Sequence, residues 1–105
     1  MAKYNRDRRD VNQKKIMESL KTCGIGCKDV SMVAGFCDLI VIHHGLYLFE
    51  IKNPEYVKKR TRYKSSLTDL ERDFHNYAYR HGVNVHIVTK FEEIIDILNK
   101  DKVSG

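Results

Sequence analysis

The stretch that decides the fold is Gly35-Phe36-Cys37-Asp38-Leu39-Ile40-Val41-Ile42-His43-His44-Gly45-Leu46-Tyr47-Leu48-Phe49-Glu50-Ile51-Lys52. Asp38 to His43 reads as a strand built on a continuous apolar run, Leu39 to Ile42. His44-Gly45 makes a turn. Tyr47 to Lys52 reads as the returning strand. Asn53-Pro54 ends it, because proline has no N–H to give a ladder and restricts the residue before it.

Working outward, Asp10 to Cys23 has a helical pattern. Gln13, Ile16, Met17 and Leu20 fall at i, i+3, i+4 and i+7 and make one stripe, which Gly24 and Gly26 terminate. A short strand is expected near Lys28 to Met32, before Gly35 breaks the chain. A basic, polar loop follows the hairpin from Glu55 to Ser66. Leu67 to His81 is a second helix, with Ser66 or Thr68 as cap and Gly82 as stop. Asn84 to Val88 is a short β-branched strand. Phe91, Ile94, Ile95 and Leu98 mark an amphipathic last helix. The order is α-β-β-β-α-β-α, an α/β domain with a mixed β-sheet flanked by helices. No repeat or low-complexity segment interrupts it. The expected organisation is a basic arm over 1–9, a single domain over 10–100 and a tail over 101–105.

The chain has 105 residues, 42% hydrophobic and 31% charged. That is the size and composition of one globular domain, not of a disordered, collagen-like or coiled-coil chain. Its apolar runs are too short to cross a bilayer, and the polar start lacks a secretory signal core, so a cytoplasmic protein with no membrane partner is expected. Nineteen Lys and Arg against fourteen Asp and Glu give a formal charge of +5. The excess gathers at Lys3, Arg6, Arg8, Arg9, Lys14 and Lys15, and again at Lys58, Lys59, Arg60, Arg62 and Lys64. Two basic clusters on a small domain point to a polyanion; taken alone, they also fit a solvated surface. Three cysteines cannot all pair within one chain. Cys23 and Cys27 have a loose zinc-ligand spacing without a second matching pair, and His43 and His44, as strand neighbours, would face opposite ways. Free thiols in a reducing compartment are the expectation.

Charged residues at interior-looking positions of the hairpin carry the chemistry. Leu48, Glu50 and Lys52 share one strand face, and Tyr47, Phe49 and Ile51 the other. If His44-Gly45 closes a hairpin, Asp38 comes beside Glu50 and Lys52. Charges in such strands are costly unless paired or bound to metal. Two carboxylates at one point make a hard oxygen site suited to Mg²⁺ or Mn²⁺, and a nearby lysine can orient an attacking water. For any one of these residues, an ion pair on a solvated sheet face is the plainer reading. It explains less well why all three converge.

With these residues in view, the chain resembles the PD-(D/E)xK nucleases. Gly35-Phe36-Cys37-Asp38 followed, twelve positions after the aspartate, by Glu50-Ile51-Lys52 looks like their core. More narrowly, it is similar to the small stand-alone VRR-NUC (virus-type replication-repair nuclease) domains of phages, with Leu67-Thr68 opening the later helix and Phe74 as its aromatic. The resemblance spans residues 10–98. It implies a restriction-endonuclease-like core and an Mg²⁺- or Mn²⁺-dependent deoxyribonuclease. The expected substrate is branched DNA such as Holliday junctions, cut by a homodimer in the host cytoplasm if the chain is phage-encoded.

By that resemblance Asp38 and Glu50 hold the ion, the Ile51 carbonyl completes the protein's share, and Lys52 positions the water. Gln13 stands where the family carries a first-helix glutamate, Asp10 one turn earlier can substitute for it, and Cys37 replaces the family's proline. Glu71 replaces its glutamine, either as a further acid near the site or, the favoured reading, as a surface charge. His75 is read as packing or surface rather than as a catalyst, although it follows the helix face nearest the site. Arg8, Arg9, Lys58, Lys59, Arg60, Arg62 and Lys64 are the expected DNA contacts, with Tyr56 and Tyr63 interleaved. Phosphate contacts of this kind bind without reading sequence. The alternatives are a less selective nuclease, a catalytically weak or inactive nucleic-acid-binding module that keeps the fold, and a basic RNA-binding domain. The last lacks the exposed aromatic strand motifs such modules use.

Overall fold

The computed structural model describes residues 2–53 and 67–104, with side chains over 11–53 and 67–100. Along the chain run α1 (Ala2–Thr22), β1 (Gly26–Asp29), β2 (Leu39–Ile42), β3 (Leu46–Ile51), α2 (Asp69–Arg80), β4 (Val85–Val88) and α3 (Phe91–Ser104). The order is the expected one, a mixed α/β fold whose sheet is flanked by helices.

The four strands lie in the order β1-β2-β3-β4. β1 and β3 are antiparallel to β2, whereas β4 runs parallel to β3 after the α2 crossover. The hairpin register pairs Leu39 with Phe49 and Ile42 with Leu46. His44 takes a left-handed conformation (φ 57°) in the turn, where the His43 N–H donates to the Gly45 carbonyl at 2.9 Å. His43 and His44 therefore sit in the turn rather than on a strand, with ring centroids 4.6 Å apart. Their expected separation to opposite faces does not occur.

Strand alternation divides the interior in two. Leu39, Val41, Phe49, Ile51 and Val88 face α1 and α3, where Ile16, Leu20, Ile94 and Leu98 complete the main core. Ile40, Leu48 and Val85 face the other way, toward Phe74 and Ala78 of α2 and the buried Cys37. α2 begins with a capping box. The Glu71 N–H donates to Thr68 Oγ1 at 3.2 Å, and the Thr68 N–H donates to Glu71 Oε1 at 2.8 Å. Thr68, not Ser66, is the cap. Gly82 ends the helix region at φ +84°, a conformation only glycine adopts freely.

Two boundaries differ from expectation. β1 lies two residues earlier than the stretch expected at Lys28 to Met32, because pairing with β2 sets its position. Gly26 fits there closely: a Cβ at this position would meet the Ile42 carbonyl oxygen at 3.1 Å. α1 begins at Ala2, so the basic stretch read as an arm over 1–9 is continuous with the helix, and α3 runs on through Ser104. No helix among the described residues is long and apolar enough to cross a membrane.

Phe49 is fully buried where β3 crosses the main core. Phe49→Ala is expected to lower unfolding free energy by about 3–5 kcal/mol, the usual cost of an aromatic cavity, as measured by denaturant titration.

Candidate active site

The hairpin register that pairs Leu39 with Phe49 sets Asp38 opposite Glu50. Two hydrogen bonds fix the aspartate. Its N–H donates to the Phe49 carbonyl at 3.0 Å, and its Oδ2 accepts from the Ile51 N–H at 2.8 Å. β2 starts only at Leu39, so the Asp38 side chain takes the place of the missing strand partner for Ile51. Within a strand, the N–H and C=O of one residue point to the same side. The Ile51 carbonyl is thereby aimed toward Asp38, whereas the Lys52 N–H turns the other way, to the Val88 carbonyl at 2.9 Å.

Both carboxyls are buried, Asp38 at 4% exposure and Glu50 at 1%, and they face each other across the hairpin. Burial pushes the Glu50 pKa up to about 10. The neighbouring acids, Asp38 and then Glu71, add to the rise, and Lys52 opposes it. The Cys37 thiol beside them is pushed up to about 12, by burial first and then by the Glu50 and Asp38 charges. It is a protonated packing group, not a nucleophile.

Lys52 and Glu71 form the second layer of charge. Lys52 Nζ donates to Glu71 Oε1 at 2.7 Å, with both side chains largely buried. The favoured reading of Glu71 as a surface charge is corrected: it is the partner of Lys52. Burial alone would raise its pKa, but hydrogen bonds from Lys52 and the Thr68 N–H, with the Lys52 charge, bring it below the ordinary value. His75, expected to be packing or surface, reaches in from α2, its Nε2 3.4 Å from Glu50 Oε1.

From the opposite face, α1 contributes amides rather than acids. Gln13, 5% exposed, donates from Nε2 to the Asp38 backbone carbonyl at 3.2 Å. It holds the Asp38 main chain in place. Asn12 Nδ2 donates to the carbonyls of Lys52 at 3.4 Å and Thr89 at 3.3 Å, tying together the ends of β3 and β4. Asn12 had no signal in the sequence beyond its place beside the α1 stripe.

Asp10, Arg8 and Arg9 lie on the first turns of α1, outside the residues whose side chains are described. Lys58, Lys59, Arg60, Arg62 and Lys64, with Tyr56 and Tyr63, fall outside the described residues.

The donor set fits a hard divalent cation. Two buried carboxyls face each other, and burial, with the neighbouring acids, lets one of them keep its proton far above the ordinary range. Among the described residues no group of three or more His, Cys, Asp or Glu forms a ready cage. A cation here would take only two carboxylates and a carbonyl from the protein, a sparse set of the kind Mg²⁺ accepts when water and phosphate supply the rest. Cys23 and Cys27 are free thiols.

No protein-family model, curated protein or solved structure matches this chain.

The raised Glu50 pKa makes stability depend on pH in a definite direction. The folded state binds a proton that the unfolded chain releases near its ordinary pKa of 4.5. The contribution is fully present below that value and is lost as pH rises toward about 10. Without divalent cation, the melting temperature should fall as pH is raised across this window. Glu50→Gln, which cannot ionise, should flatten the dependence in a thermal melt series.

Proposed function

We propose that the protein is a metal-dependent DNA endonuclease of the PD-(D/E)xK type, hydrolysing phosphodiester bonds. The observation that carries this reading is the juxtaposition of the buried Asp38 and Glu50 carboxyls across the hairpin, with Lys52 directly after the end of β3. A purely structural ion pair explains Lys52 with Glu71, but not two acids buried against each other.

In this reading, Asp38 and Glu50 hold a divalent ion, with the Ile51 carbonyl completing the protein's share. The bound ion supplies charge neutralisation at the phosphate and makes a coordinated water more acidic. Lys52, held by Glu71, directs its ammonium to the attacking water and to the phosphate oxygens, where negative charge grows. Water adds to phosphorus, one P–O ester bond breaks, and the leaving oxygen takes up a proton. Gln13 and Asn12 keep the strand ends from shifting, so the carboxyls stay in register.

The formal charge of +5 supports a polyanionic substrate. Preference for branched DNA such as Holliday junctions, and action as a homodimer, rest on the likeness to VRR-NUC domains. A two-fold pair would set two sites for symmetric cutting. A second reading, a weak or inactive nucleic-acid-binding module, is favoured by one observation: Gln13 spends its amide on the Asp38 backbone and adds no negative charge.

Incubation with a labelled four-way junction, a flap and a linear duplex, with Mg²⁺, with Mn²⁺ or with EDTA, separates these readings. Cleavage is expected only with metal and fastest on the junction. Asp38→Asn and Lys52→Ala should bind DNA near wild-type strength while cutting drops by about 10²-fold or more. Binding without cutting under either metal would establish the module reading, and full cutting by Asp38→Asn would overturn the catalytic assignment.

A further inference from the structure

We infer that His75 is a positioning residue for Glu50, holding the carboxylate in the orientation in which it takes a divalent cation. The inference rests on the nuclease reading above and extends it to a residue that the PD-(D/E)xK pattern does not include.

Glu50 sits on β3, the strand between β2 and β4, so its backbone is set by ladders on both sides. Its carboxyl is not fixed by those ladders. On the β2 side it meets Asp38. From α2, His75 Nε2 stands 3.4 Å from Oε1, at the long end of hydrogen-bond distance. Lys52 donates to Glu71 at 2.7 Å, and both of these side chains also act electrostatically on Glu50, while the imidazole faces its Oε1.

The position of the imidazole is itself constrained. Phe74, the preceding residue, packs edge-on against Phe36 with centroids 5.1 Å apart, and Ala78 is buried against the sheet. These contacts fix how far α2 is rotated, and so where residue 75 points. The His75 side chain is only 12% exposed and forms part of the wall of a cavity of about 230 Å³ between α2 and β4. Shortening it would open Glu50 to that cavity and free the carboxylate to turn.

A carboxylate that binds a cation through one oxygen is oriented by a donor on the other, and removing such a donor typically weakens metal binding 10–100-fold. Mn²⁺ binding to the full-length protein, followed by titration calorimetry and by the loss of free-ion paramagnetic resonance signal, tests this without any nuclease assay. His75→Ala should bind Mn²⁺ about 10–100-fold more weakly. His75→Gln, whose amide N–H can occupy the place of Nε2, should stay within about threefold of wild type. Wild-type Mn²⁺ affinity in His75→Ala would overturn the inference alone. So would an equal loss in a folded His75→Gln, since shape rather than the hydrogen bond would then matter. A wild-type protein that takes up no Mn²⁺ would overturn the nuclease reading beneath it.

Discussion

Two acids facing each other across a strand pair are the constraint around which this small domain is arranged. The register of β2 and β3 that buries Phe49 and Leu39 on one face leaves Asp38 and Glu50 opposed on the other. Two like charges held close together inside a protein repel far more strongly than in water. A domain of this size has a total stability of only about 5–15 kcal/mol. The pair therefore cannot stay doubly ionised without compensation: either a proton bridges it, as the raised Glu50 pKa indicates, or a cation does. The neighbouring lysine does not resolve the conflict, because Glu71 already engages it.

The two faces of the sheet divide the work. Toward α1 and α3 lies the larger apolar core, which supplies most of the buried hydrocarbon. Toward α2 lies the smaller cluster around Cys37, Ala78 and Val85, and it borders the charged groups. Polar reinforcement crosses between them at the strand ends, where Asn12 and Gln13 donate to backbone carbonyls. Among the described residues no buried side-chain nitrogen or oxygen lacks a hydrogen-bond partner. A satisfied network of this kind limits movement of the carboxyls.

Much of this was legible from local pattern. The apolar run from Leu39 to Ile42, the His44-Gly45 turn and the two-residue alternation suffice to put Asp38, Glu50 and Lys52 at one end of a hairpin. What escaped the sequence were features set at long range or by charge-rich composition. β1 slid two residues because its partner strand, rather than its own propensity, chose the register. The start of α1 carries charged residues without an apolar period, so periodicity could not extend the helix to Ala2. Glu71 sits three positions after Thr68, the spacing of a capping box, but its bond to Lys52 spans nineteen positions and leaves no periodic trace. For His75, helix spacing gave the face nearest the site, but not its partner, since Glu50 belongs to another element.

One oxygen atom links the charged end of the sheet to the beginning of α2. Glu71 Oε1 accepts both from the Thr68 N–H at 2.8 Å and from Lys52 Nζ at 2.7 Å. Whenever the first turn of that helix frays, the anchor of the ammonium goes with it. Local opening there requires far less free energy than unfolding the whole domain. The orientation of the lysine is thus no more durable than a single helical turn, and warming or mild denaturant would scramble it while the β-sheet still stands.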